Sequence, residues 1–159
     1  MFNILVQTHD FVLGAEVHTM RRNNNPKIGA IVSFVGLARD INDGIAVSNL
    51  TLEHYPAMTQ KALASIVDQA SARWDVIDAT VIHRFGTLKP TDQIVLVVIA
   101  SGHRSDAFQA CEFIMDFLKT RAPFWKKETT ARGERWVEAK KSDEVASQRW
   151  HGDDNLWRK

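Results

Sequence analysis

A chain of 159 residues has the size of one domain and can bury a real core. Hydrophobic residues make up 45% and charged residues 25%, and the formal net charge of +1 gives no global field for nucleic acid, so anion chemistry must come from local clusters. The single cysteine, Cys111, excludes an intrachain disulfide and a multi-cysteine metal site. No apolar run reaches the ~18 residues of a membrane span and the start lacks a basic-then-apolar leader, so the expected compartment is the cytoplasm.

Residues 2–7, FNILVQ, read as a strand, and a short helix is expected over about 13–22. A polar loop broken by Pro26 follows, then GAIVSFVG (29–36), a β-rich apolar run bounded by glycines. ARDINDG (38–44) carries turn chemistry. In VSNLTLEHY (47–55) polar and apolar residues alternate, so Leu50 and Leu52 should face a core from a half-buried strand. Met58, Ala62, Ile66, Ala70 and Trp74 then recur every four residues, which predicts an amphipathic helix started near Pro56 or Thr59. ATVIHRFG (79–86) and QIVLVVIA (93–100) read as two strands joined by a turn at LKPTD, the second apolar enough to be central. A helix from SGHRSDA to about Thr120 is stopped by Pro123. Short β pieces are expected between Trp125 and Val137, then a helix over 142–150 capped by Ser142, then a polar tail. Cys111 has apolar neighbours at helical spacing and reads as a buried structural thiol.

This order of elements predicts an α+β fold with a mainly antiparallel sheet and two long helices. Residues 1–150 are expected to form a single domain containing a small β subdomain, with 151–159 as tail. No nucleotide-binding glycine motif and no strained nucleophile turn occurs. His54, His83 and His103 lack metal-ligand spacing.

Three cationic spots stand at the ends of elements. SGHRS (101–105) places His103 and Arg104 where a helix begins, which suits either an anion site or a solvated arginine beside a polar cap. Arg39 follows a glycine-bounded strand and is either a binding residue or surface charge. In FLKTRAPFWKKE (117–128), Lys119 can form an i,i+3 ion pair with Asp116, or the break at Pro123 can fold Lys126 back beside it. If the three converge, the ligand is a small anion bearing phosphate.

TLEHYPAMT (51–59), VIHRFGTLKPTD (81–92), SGHRSDAF (101–108), FIMDFLKTRAPFWKKE (113–128) and RWVEAKKSD (135–143) together resemble the large, catalytic subunit of molybdopterin synthase, over roughly residues 28–150. The resemblance implies an α/β hammerhead-type fold. It implies a sulfurtransferase that works as a homodimer within a heterotetramer, with a small ubiquitin-like carrier docked on each copy. The carrier's C-terminal Gly-Gly thiocarboxylate would supply sulfur to cyclic pyranopterin monophosphate, without metal or organic cofactor, nucleic acid or membrane. The same resemblance implies that Lys119 and Lys126 are catalytic. It implies that Arg39, His103 and Arg104 bind the phosphate, that Phe34 and Met115 form pocket wall, and that Leu37, Ala38, Lys127 and Glu128 belong to substrate-contacting stretches. Relatives can carry lysine where this chain has Leu37, so only a backbone contact survives there. Lys140 stands where a relative has arginine, in a segment expected to reach the partner copy's pocket, and keeps the charge without the bidentate fork.

Overall fold

A computed structural model describes residues 2–138 and 140–151. A four-stranded sheet has the order β1-β6-β8-β2, formed by Phe2–Gln7, Val76–Arg84, Gln93–Ser101 and Ala30–Leu37. β1 and β6 run parallel; the other pairs are antiparallel. Helices α2 (Pro56–Arg73) and α3 (Arg104–Arg121) cover one face, and α1 (Leu13–Arg22) covers the other. Burial on both faces explains why β8 shows no alternation in the sequence. Val95, Val97 and Ile99 enter the core under α2 and α3, while Leu96, Val98 and Ala100 enter the core under α1.

α2 buries Leu63, Ile66, Val67 and Ala70, an i, i+3, i+4, i+7 stripe. Pro56 occupies its first turn, where the missing N–H costs nothing. α3 presents a wider apolar face that includes Phe113 and Phe117, both fully buried. Truncating an aromatic so placed costs roughly 3–5 kcal/mol. Cys111 lies in this core, and burial pushes its thiol up to about 12.

A second four-stranded sheet has the order β10-β9-β5-β7, formed by Gly133–Val137, Phe124–Thr130, Asn49–His54 and Gly86–Leu88. Leu50 and Leu52 do face a core there, with Ala38 and Leu88. The turn expected between the two apolar strands holds more than a turn: Gly86–Leu88 leaves the first sheet and pairs with β5. The positive φ of Gly86 (92°), accessible to glycine, makes that corner. β3 (Ile41–Asn42) and β4 (Ile45–Ala46) form a small hairpin.

The last helix, α4 (Lys141–Gln148), begins one residue earlier than expected, with Lys140 rather than Ser142 at the N-cap. Behind it Trp150 packs edge-on against Trp74 and Phe113 and ties the end of the chain to α3. The polar tail beyond His151 lies outside the described residues. Among the described residues no helix is long and apolar enough to cross a membrane.

Candidate active site

The site is built where α3 ends. A residue before proline is driven out of the helical region, and Ala122 is extended (φ −74°, ψ 131°) in front of Pro123. The chain passes from helix to strand within two residues, and β9 starts at Phe124. From there the period-2 alternation of a strand sorts the side chains. Phe124, Lys126 and Glu128 line one cleft, together with Leu118 and Lys119 from the last turn of α3. Trp125 and Lys127 point the other way. Trp125 meets the edge of Tyr55, and Lys127 pairs with Glu134 at 3.4 Å above the Trp136 ring. Arg121 also turns away, stacked over Phe117. Of the four basic residues flanking the proline, Lys119, Arg121, Lys126 and Lys127, only the two lysines seven apart enter the cleft.

The cleft has a volume of about 330 Å³, and its other walls come from β2, β5, β6 and the segment 137–143. Phe34 and Gly36 of β2 face it. A side chain at position 36 would stand 2.7 Å from Val95 Cγ1 and 3.3 Å from the Phe34 ring, so the close packing of this wall needs glycine. The register slips between Gly36 and Leu37, a bulge that turns Leu37 into the cleft as well. Ala38 is buried beneath the loop, and its N–H donates to the Asp92 carbonyl at 2.9 Å, which fixes the following Arg39 on the cleft wall. Met115 lies buried one turn before Lys119, under the wall rather than on it.

Glu128 lines the cleft, but both its oxygens are engaged. Arg135 donates to Oε2 from Nε at 3.0 Å and from its terminal nitrogen at 2.8 Å, and Asn42 Nδ2 donates to Oε1 at 2.7 Å. This buried, fully partnered carboxylate holds the β3–β4 hairpin against β9. Lys140 is exposed and lines the same chain's cleft.

The cations of this cleft are poorly compensated, and Asp116 shows why. Its Oδ2 accepts from the Arg149 guanidinium at 2.6 Å and from Trp150 Nε1 at 2.7 Å, while Arg149 also meets Glu112 at 2.7 Å. The ion pair that spacing offers Lys119 therefore does not form. Among the described residues no carboxylate lies within ion-pair distance of Lys119 or Lys126.

Burial and the nearby Lys119 charge, with Lys140 adding to it and Asp143 opposing it, bring Lys126 down to about 8. A lysine of that basicity can give and take protons near neutrality. The same shift has a cost to the fold. Below pH 8 folded and unfolded chains both hold the proton, and the penalty for burying the charge is felt in full. Between pH 8 and the ordinary 10.5 the folded chain holds fewer protons, so this contribution to stability rises with pH. Lys126→Met should therefore be more stable than wild type at pH 7 by roughly 1–3 kcal/mol, with the gap closing toward pH 10. Urea unfolding at pH 7 and pH 9.5 checks this; a gap of the opposite sign at pH 7 would refute it.

His83 escapes the sequence reading. It follows Ala79 and Val81 on the face of β6 that meets α3, a period-2 signal that could have placed it, and it lines the cleft. It is 5% exposed and stacks on Phe124, with ring centroids 3.8 Å apart and planes at 17°. Burial first, with Lys119 and Lys126 beside it, lowers its pKa to about 3, so the imidazole is neutral.

His103 and Arg104 do not join this group. They stand exposed at the first turn of α3, and Lys119 stands in its last; fifteen residues of helix separate Arg104 from Lys119 by about 22 Å. His103 occupies the N-cap position but its side chain makes no capping hydrogen bond. Convergence of all three cationic spots in one chain is thus corrected. Arg39, Lys119 and Lys126 meet, while His103 and Arg104 lie at the far end of the same helix.

The sequence profile of the family described as MoaE protein matches residues 6–121. The chain belongs to the MoaE family. It is 63% identical over 150 residues to the molybdopterin synthase catalytic subunit of Ralstonia nicotianae, covering 94% of this chain and 85% of that one. The Escherichia coli protein of the same description is 53% identical over 147 residues, covering 92% and 97%. In three dimensions the MoaE protein from Burkholderia ambifaria superposes with a TM-score of 0.81 at 53% identity, covering 96% of this chain and all of that one. The α+β architecture above is therefore the MoaE architecture.

Proposed function

We propose that this chain is the catalytic subunit of a molybdopterin synthase and that the cleft between α3 and β9 is where sulfur reaches the pterin. The carrying observation is the pair Lys119 and Lys126, brought to one cleft by the Pro123 break, with no carboxylate within ion-pair distance among the described residues. Sulfur attack on the substrate and opening of its cyclic phosphate both build negative charge, and fixed cations in a partly dry cleft stabilise that charge with little reorganisation. Lys119, at the cleft mouth, serves the carrier's terminal carbonyl and the reacting carbon. Lys126, deeper and less basic, binds substrate and moves a proton. Arg39 and Lys140 hold phosphate from the loop and the α4 side. Phe34 and Leu37, both part-exposed at the rim, offer an apolar approach for the extended tail of a ubiquitin-like carrier.

His103 and Arg104 can reach a phosphate in this cleft only from a second copy. A homodimer that brings the start of one α3 to the end of the other gives both residues the binding role their match to the family implies. Two carriers on that homodimer make a heterotetramer, working in the cytoplasm. Lys127 acts indirectly, by fixing β9 against β10 through Glu134.

Mixing the chain with thiocarboxylated carrier and cyclic pyranopterin monophosphate tests the reading. Dithiolene product is expected. Carrier binding without product would favour a docking module that performs no chemistry.

A further inference from the structure

The cleft has a floor as well as cations, and the floor carries a lone pair that nothing among the described residues uses. His83 Nδ1 lies 2.8 Å from the Arg84 carbonyl oxygen. A carbonyl only accepts, so Nδ1 carries the proton, and in the neutral ring Nε2 is an acceptor. Nε2 has no partner among the described residues, although Lys119 and Lys126 are near enough to depress the ring's basicity. The ring cannot turn to find one, because it is stacked on Phe124, which is itself 5.7 Å from the His54 ring. Of the carboxylates lining the cleft, Glu128 has both oxygens bonded, Glu138 is exposed, and the half-buried Asp143 carries a negative charge that acts on Lys126. A second acceptor without a partner, Asn42 Oδ1, belongs to a residue on the same wall.

Cations alone would suit any phosphate. A fixed neutral acceptor among them suits a ligand with N–H groups, and a reduced pterin has several. We infer that His83 Nε2 accepts a hydrogen bond from a ring or amino N–H of the pterin, so that His83 reads the heterocycle while the cations hold the phosphate. This rests on the cleft being the pterin site. It makes His83 a specificity-determining residue, and it asks for no change in its protonation.

The test compares binding of cyclic pyranopterin monophosphate with binding of inorganic phosphate to the homodimer, by calorimetry, at one salt concentration. His83→Phe keeps a ring on Phe124 but removes the acceptor; His83→Leu removes both; His83→Gln returns an acceptor near the same place. Phe and Leu variants should weaken pterin binding about 10- to 100-fold and leave phosphate binding within about twofold, with Gln recovering most of the loss. Unchanged pterin affinity in whichever apolar variant folds would overturn the assignment, as would an equal loss for pterin and phosphate. If wild type binds phosphate but not the pterin, the reading of the cleft itself fails.

Discussion

Lys119→Ala should lower dithiolene formation by at least about 10²- to 10³-fold, the cost of deleting one preorganised charge from a developing anion. The fold should hardly notice. Lys119 is exposed, has no carboxylate partner among the described residues, and sits in the last turn of α3, so the change in stability should stay within about 0.5 kcal/mol. Removing its charge also relieves Lys126, whose pKa should climb from about 8 toward its ordinary value. The variant therefore loses the stabilising charge and part of the proton-transfer capacity together. Lys119→Arg keeps the charge but carries a broad, permanently protonated fork, and should recover only a small part of the rate. Full turnover in Lys119→Ala, with thermal unfolding unchanged, would remove Lys119 from the mechanism.

The second large effect is a rescue. Arg104→Ala and Lys119→Ala should each be nearly inactive alone. On the proposed reading each site uses Lys119 of one copy and Arg104 of the other, so a mixed dimer would contain one site with both residues intact and one with neither. Random re-assortment makes about half the dimers mixed, and total activity should return to about a quarter of wild type. If Arg104 acted within its own chain, each copy of a mixed dimer would keep its own defect and no rescue would occur. The separation of about 22 Å along α3 favours the first outcome.

The two cores were legible because burial imposes periodicity. Leu63, Ile66, Val67 and Ala70 mark a helix, Leu50 and Leu52 a strand, and the unbroken apolar run of β8 a strand covered twice. Pro123 was legible as a stop because its effect is local and steric. The partner of Asp116 was not, since Arg149 comes 33 residues later and only the packing of Trp150 against Trp74 and Phe113 delivers it. For the same reason the i,i+3 pair that spacing offers Lys119 does not form, Asp116 being held by Arg149 and Trp150. The resemblance places Glu128 in a substrate-contacting stretch, and it does line the cleft; its ties to Arg135 and Asn42 depend on a hairpin that spacing does not foresee. His103 and Arg104 carried the right chemistry for an anion, and the helix expected from SGHRSDA to about Thr120 already sets them at the opposite end from Lys119. His83 lacks metal-ligand spacing, and the useful signal lies in its place after Ala79 and Val81 on the core-facing side of β6.

A single-turnover reaction most directly tests whether this cleft transfers sulfur. Purified chain, thiocarboxylated carrier and cyclic pyranopterin monophosphate are mixed, and dithiolene and carrier end groups are counted by mass spectrometry. One dithiolene for every two carriers converted from thiocarboxylate to carboxylate is the predicted result. Carriers losing sulfur with no dithiolene formed, or remaining thiocarboxylated while bound, would contradict it.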